Sequence, residues 1–297
     1  MRHNALKSAP FPIPAFRHKR LRGGCMSQKK PERDAPAPPA GLIHEAVDWQ
    51  GQQVRCRDCR HEPMHRDGRC QRGRSCVRDR RARRVDRFFT QNPSMADEYL
   101  DHPYDEVRAI AVRYCTIFRL PPLLADPEPE VRVGAVLRLP IRRILPLAAD
   151  PDRRVRVSVA SRLEGNELLR LLADPDALVR LMVIRRLEPD MLVLAVQDQD
   201  ADIRRWVARR IAPAYLYLML SDTEPTVRQI LATRLPVALL PVMATDDDVR
   251  VRFTAIERLP VAMLHALADD DEPLVRELIT RRLAEDVRKE NSDGTGT

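Results

Sequence analysis

A strict period of twenty-four residues runs from about residue 103 to near the end of the chain, and it leaves few folds open. One column reads Arg108, Arg132, Arg156, Arg180, Arg204, Arg228, Arg252 and Arg276 without a miss. Six residues later Arg138, Arg162, Arg186, Arg210, Arg234, Arg258 and Arg282 recur, each followed by Leu or Ile. In the first unit Tyr114 and Cys115 stand in those two places. Aspartates close the units at Asp126, Asp150, Asp174, Asp198, Asp222, Asp246 and Asp270. Columns that stay in phase with no insertion define one supersecondary unit per period. A unit this short buries its apolar face only against its neighbours. The expected fold class is therefore all-α, a solenoid of 24-residue repeats behind a small cysteine-rich domain.

Residues 126–149, DPEPEVRVGAVLRLPIRRILPLAA, show what one unit contains. Asp126 followed by Pro127 reads as an N-cap with proline in the first helical position. Val131, Ala135 and Leu139 then form an apolar stripe at helical spacing, and Pro140 stops the helix. Ile141 to Ala149 is too short for an ordinary helix and contains Pro146, which predicts a 3₁₀ or very short helical return. The strand signature of ordinary leucine-rich repeats is missing, so no β-sheet is expected to line the array.

The remainder of the chain differs in composition. Residues 1–100 hold 22 Lys+Arg against 11 Asp+Glu, and residues 101–297 hold 29 against 32. The basic character belongs to the N-terminal third, a feature compatible with nucleic acid, a bound anionic group or an acidic partner. The expected organisation is a leader and Pro-rich linker over 1–41, a cysteine-rich domain over 42–80, a helical lead-in over 81–104, repeats over 105–287 and a disordered tail over 288–297. Arg84, Tyr99 and Leu100 fall on repeat columns, so the lead-in reads as a degenerate capping unit. Gly23-Gly24 just ahead of Met26 predicts that translation begins at Met26 and that Cys25 is not part of the mature chain. No run approaches the roughly 20 apolar residues that span a bilayer, and no signal peptide is visible. The expected location is the cytoplasm, with no membrane partner.

Four cysteines cluster as Cys56-x2-Cys59-x10-Cys70-x5-Cys76. In a cytosolic chain such clusters are metal ligands more often than disulfides. Four thiolates suit either tetrahedral zinc or an iron–sulfur cluster, and the spacing leaves both open. Arg55, Arg57, Arg60, Arg66, Arg69, Arg72, Arg74 and Arg78 interleave with the cysteines and would offset the negative charge of either. Four cysteines already complete a site, so His61 and His65 are read as exposed loop residues. Cys115 sits in a leucine column and reads as a buried apolar thiol.

A cysteine cluster followed by units carrying Asp-Pro, Val-Arg and Arg-Leu-Pro in phase resembles the leucine-rich repeat variant proteins with an N-terminal iron–sulfur domain, found in nitrogen-fixing bacteria. The resemblance covers about Val54 to Leu283. It implies a right-handed superhelix of alternating α and 3₁₀ helices, and a [4Fe–4S] cluster held by Cys56, Cys59, Cys70 and Cys76. Glu or Ala replaces proline after Leu163, Leu187, Ile211 and Leu283, which puts a regular turn in doubt at those four places.

The leading functional expectation is a redox-linked interaction protein, a cluster domain fused to a scaffold that docks a protein partner. The alternative is a zinc- or cluster-containing nucleic-acid binder using the Arg-rich third, with Trp49, Phe88 and Phe89 the few aromatics nearby. No phosphate loop, nucleophile elbow or His-carboxylate motif is present, so no enzyme and no catalytic residue is expected. The Arg columns are read as scaffold that spans neighbouring helices and meets the Asp column or orphan carbonyls. Trp206, Tyr215 and Tyr217 break the regularity and are the first candidates for partner contact.

Overall fold

A computed structural model describes residues 46–293, with side chains through residue 288. The expected leader, linker and Met26 start lie outside the described residues, as does Cys25. Two short helices, α1 (Glu62–Arg66) and α2 (Ala82–Gln91), lead through a 3₁₀ turn at Pro93–Tyr99 into the repeats. The repeat helices follow at the sequence period: α3 (Asp105–Ala111), α4 (Pro129–Arg138), then Arg153–Ala160, Ala177–Arg186, Ala201–Arg210, Pro225–Arg234, Val249–Arg258 and Pro273–Asp293. Between them lie returns of 3₁₀ helix, three of which include a single turn of α-helix: Ile141–Ile144, Gly165–Leu169 and Leu240–Met243. The only β-pairing among the described residues is two isolated bridges, Val47 with Gln53 and Gln71 with Ser75. No helix of the described residues is long and apolar enough to cross a membrane.

Proline explains where the helices stop, including at most of the irregular units. A residue ahead of proline is pushed out of the α region, and Leu139, Leu235 and Leu259 are all extended, with ψ of 154°, 145° and 144°. In the units where Glu188 and Ala212 replace proline, Pro189 and Pro213 stand one place later. Leu187 and Ile211 are extended all the same, with ψ of 146° and 144°. The turn is lost only where no proline follows. After Leu163 the reversal falls to Gly165 in the left-handed region at φ +55°, and that unit's helix ends early, at Ala160. After Leu283 nothing interrupts the helix, which continues to Asp293, well into the stretch expected to be a disordered tail.

The structure also corrects the expected cap. Pro129 rather than Pro127 opens α4, and its N-cap is Glu128, which makes no side-chain cap bond. Asp126 sits two residues earlier, where its carboxylate accepts the Glu128 N–H at 2.9 Å. In four units an aspartate at the true N-cap does accept a helix N–H: Asp152, Asp176, Asp200 and Asp248.

Two arginine columns knit the stack in different directions. Arg132 donates Nε and Nη2 to the two carboxylate oxygens of Asp150 at 2.8 and 2.7 Å, and Nη1 to the carbonyl of Asp126 at 2.9 Å. The same fork recurs at Arg108, Arg156, Arg180, Arg204, Arg228 and Arg252, each reaching the aspartate eighteen residues on. This column closes each unit on itself. The second column joins units: Arg138 Nη1 and Nη2 donate to the carbonyls of Val112 and Cys115 in the preceding unit, both at 2.6 Å. Arg210 does the same to Ile184 and Leu187 at 2.7 and 2.8 Å. Helix-end carbonyls that would otherwise be orphaned thus receive charged donors. Both columns therefore act as scaffold, as expected.

Apolar layers fill the space between. Val131, Ala135, Val136 and Ile144 are fully buried, as are Val155 and Val159 in the next layer and Val179 and Val183 in the one after, in one continuous core. Gly134 is required where α3 and α4 meet, because a Cβ there would stand 2.1 Å from Val112 Cγ1. The first unit departs for a local reason. Tyr114, in the arginine column, donates its hydroxyl to Asp86 on α2 at 2.7 Å and stacks on Phe89. It joins the repeats to the lead-in, where no earlier repeat offers carbonyls.

Candidate metal centre

The segment that carries the four cysteines has little regular structure and is shaped by turns. The Cys59 N–H donates to the Cys56 carbonyl at 3.0 Å, and the Glu62 N–H to the Cys59 carbonyl at 2.9 Å, where α1 begins. Gly68 and Gly73, both at φ +73°, reverse the chain on either side of Cys70. The Cys76 N–H reaches the Arg84 carbonyl at 3.1 Å, which pins the fourth cysteine to α2. Asn92 Nδ2 donates to the Arg69 carbonyl at 2.8 Å, and Ser75 Oγ to Gln91 Oε1 at 2.7 Å. Arg84, on the repeat column, pairs with Asp79 at 2.6 Å instead of the position eighteen residues on, which is His102. The lead-in therefore keeps a repeat-like helix but spends its contacts on the cysteine segment.

Cys56, Cys59, Cys70 and Cys76 line one cavity, together with His61, His65, Arg72 and the apolar walls Val54, Val77 and Phe88. All four are free thiols; Cys76 is buried and the others half-buried. Burial pushes the Cys70 thiol up, with Cys59 and Cys56 adding to the effect. Burial likewise pushes Cys76 up to about 11, the Arg78 backbone N–H opposing it and Cys59, Asp79 and Cys70 reinforcing it. The sulfurs thus feel one another's charge, and four thiolates would coexist here only around a cation that stabilises them. Among the described residues no three His, Cys, Asp or Glu side chains converge closely enough to hold a metal ion between them.

The histidines are not the exposed loop residues expected. His61 is buried, and its Nε2 accepts from Arg60 Nε at 3.2 Å and is bonded to the Tyr99 hydroxyl. Burial, and then the Arg60 charge, hold its pKa down, which favours the neutral ring that can accept from Arg60. His65 Nδ1 lies 3.1 Å from the Cys70 carbonyl. Both are wall residues that brace the cysteine loops. The HEPMH run carried their proximity to the cysteines but not the burial of His61, which packs against the distant Tyr99 and Phe88.

Of the interleaved arginines, Arg57, Arg60, Arg66, Arg69 and Arg78 each have a carboxylate within 4.0 Å. Arg72 lines the cavity itself. Phe88 and Phe89 are fully buried, and Trp49 stacks on Tyr104 with ring centroids 6.1 Å apart. Cys115 is buried, as expected, with Arg138 Nη1 at 3.4 Å from its sulfur. The three solenoid aromatics fall on different elements. Trp206, on a repeat helix, lies half-buried under Arg185. Tyr215 is half-buried in a return, and Tyr217 beside it is exposed.

Fold and site together define a helical-repeat protein whose array is preceded by a cysteine-lined cofactor domain. The chain belongs to the leucine-rich repeat variant proteins. It is similar to a solved structure described as a leucine-rich repeat variant with a novel repetitive structural motif, with a TM-score of 0.73 and 40% identity over 77% of this chain and 99% of that one. Residues 46–98 match the family model described as the LRV protein FeS4 cluster, which makes this segment an iron–sulfur cluster domain. An uncharacterized 27.7 kDa protein in the nifB 3′ region of Rhodobacter capsulatus is 49% identical over 84 residues, or 28% of this chain. The match spans 34% of that relative's length.

Proposed function

We propose that the protein is a redox-linked interaction scaffold, in which Cys56, Cys59, Cys70 and Cys76 hold a [4Fe–4S] cluster and the solenoid binds a protein partner. The observation that carries this reading is the single cavity ringed by all four free cysteines. Four thiolates suit a tetrahedral zinc or a [4Fe–4S] cluster alike, and the match of residues 46–98 to the LRV protein FeS4 cluster model favours the cluster. When bound, such a cluster supplies one-electron chemistry or simply crosslinks the loops. The chain's own residues fit that role. Val54, Val77 and Phe88 keep water from one side, Arg72 offsets negative charge, and His61 and His65 fix the loops between cysteines.

The nucleic-acid reading draws on the exposed arginines, but burial of Phe88 and Phe89 takes away two of the three aromatics that a stacking platform would use. The test is anaerobic purification with iron and acid-labile sulfide assayed, and the absorption spectrum recorded before and after dithionite. Iron and sulfide in equal amounts, with a spectrum that bleaches and recovers, is the expected result. Stoichiometric zinc without sulfide would overturn the cofactor, and a cluster that cannot be cycled would overturn the redox link.

A further inference from the structure

We propose that the groove between the repeat helices Arg153–Ala160 and Ala177–Arg186 docks an acidic segment of a partner protein, one that also carries apolar side chains. The inference rests on the reading of the solenoid as a docking scaffold, and it names the face used and the partner's charge. The groove encloses about 370 Å³. Its floor is Val157, Leu181 and Met182, half-buried and packed on the core beneath, with Leu178 beside them 51% exposed. Arg153, Arg154 and Arg185 complete the lining, and no carboxylate among the described residues joins them. The three arginines differ in their partners. Arg154 pairs with Asp152 and Glu130 at 2.9 and 2.8 Å, and Arg153 reaches Asp176 at 3.5 Å. Arg185 lies over the Trp206 ring, 5.3 Å from its centroid, and has no carboxylate partner among the described residues. Arg209, its equivalent one unit on, is exposed and likewise has none among them. Asp202, the exposed carboxylate on the next helix, is taken by Arg205.

Scattered apolar residues are ordinary on a protein surface. Here they share one groove with a cation that lacks a counter-ion, and Arg, Met and Trp are residue types enriched at protein interfaces. Charge selects the occupant. The groove between α3 and α4 is lined instead by Asp105, Glu106, Glu128 and Glu130. The two arginines there are already engaged, Arg113 by Asp86 at 3.0 Å and Arg138 by the Val112 and Cys115 carbonyls. The helix face thus changes sign along the array, with the Arg154–Glu130 pair at the boundary. An acidic segment is drawn to the Arg185 groove and repelled from the first units, which fixes its place on the array. A nucleic acid would meet the arginines but leave the apolar floor without a partner. Trp206, the nearest ring for stacking a base, is covered by Arg185.

Fluorescence anisotropy of a labelled synthetic peptide of glutamates and leucines, titrated with the full holoprotein, tests this. The expected result is binding that weakens with added salt. Its dissociation constant should rise about 10-fold or more in Arg185→Glu, where repulsion replaces attraction. Arg142→Glu makes the same change of charge at an exposed residue of a return and should leave binding unchanged. Thermal melting of each variant monitors folding. Leu178→Gln, at the exposed floor residue, should weaken binding as well, and it replaces Arg185→Glu if that variant melts below the wild type. Binding indifferent to both groove variants, or weakened equally by Arg142→Glu, overturns the proposal. So does displacement of the peptide by a single-stranded oligonucleotide, which would assign the groove to nucleic acid. A counterpart peptide with lysine in place of glutamate separates this inference from the reading beneath it. If the lysine peptide alone binds, the docking scaffold stands and the acidic partner falls; if neither peptide binds, both fall.

Discussion

Arginine is abundant in both the repeat array and the cysteine domain, and the two regions use it in opposite ways. In the array each column arginine is spent internally. Arg180 is nearly buried and holds Asp198 at 2.8 and 2.9 Å and the Asp174 carbonyl at 2.8 Å. In the cysteine domain the arginines stay near solvent, pair with whatever carboxylate is at hand, and never repeat a geometry. The array carries its own counter-ions, and each unit is completed by residues of that unit and the one before. The cysteine domain is held by one-off bonds to α2 and the Pro93–Tyr99 turn, around a cavity whose thiols repel one another once ionised. Under the proposed function, one region is self-sufficient and the other depends on the cluster it holds.

Removing the cofactor should separate them most. Chelation of iron from the oxidised protein would take away the crosslink proposed at Cys56, Cys59, Cys70 and Cys76, and metal binding in such small domains is largely folding free energy. Hydrogen exchange over residues 46–80 should then rise towards that of unfolded peptide, while the repeat helices from Pro129 onward keep their protection. A loss of protection spread evenly over the whole chain would show that the continuous core makes the two regions one cooperative unit, and would break the comparison.

A mid-array arginine gives the next largest effect. Arg180→Met keeps the apolar stem but leaves Asp198 buried without its counter-ion. Breaking a buried pair from one side costs about 3–5 kcal/mol. The melting temperature should fall accordingly, with the iron content unchanged. Replacing Arg180 and Asp198 together by apolar residues should recover a substantial part of the loss, and a double-mutant cycle measures the coupling. A single variant as stable as the wild type would mean that the column is not scaffold.

What was legible in the sequence follows the same division. Periodicity gave the helices, the returns and both arginine ladders, because in an array the neighbours of any residue are known once the period is known. The proline rule reached further than expected, since Pro189 and Pro213, displaced by one residue, still turn the chain. After Leu283, where no proline follows and the turn was in doubt, the helix runs on. The expected cap at Asp126 was two residues early because that aspartate is engaged by Arg108 and the Glu128 N–H. In the cysteine domain, spacing brought out the four thiols but not their setting. His61 is buried by Tyr99, 38 residues away, and no local pattern carries such a contact.

The smallest effect concerns pH and distinguishes units within the array. The Arg250 side chain bonded to Asp248 holds that carboxyl at about 2, with burial opposing it and the Arg250 N–H adding to the hold. Asp152 is held at about 2 by Arg154 in the same manner. A carboxyl whose folded pKa lies below its ordinary 3.8 contributes stability that is complete above that value. The contribution fades as pH falls through the folded pKa near 2. Asp248→Asn keeps an acceptor for the Arg250 N–H and Nε, but removes the charge and the Oδ2 acceptor that Arg250 Nη2 uses at 2.8 Å. The variant should melt slightly below the wild type at neutral pH, and the two should converge once the pH is below about 2. Both partners are partly exposed, so salt should narrow the neutral-pH gap as well. Asp198→Asn, at a carboxylate enclosed by Arg180, should lose far more and resist salt, because little solvent reaches that pair. If the two asparagine variants instead respond alike to salt, the buried fork and the exposed cap are electrostatically equivalent, and the self-sufficiency of the array does not lie in its enclosed pairs.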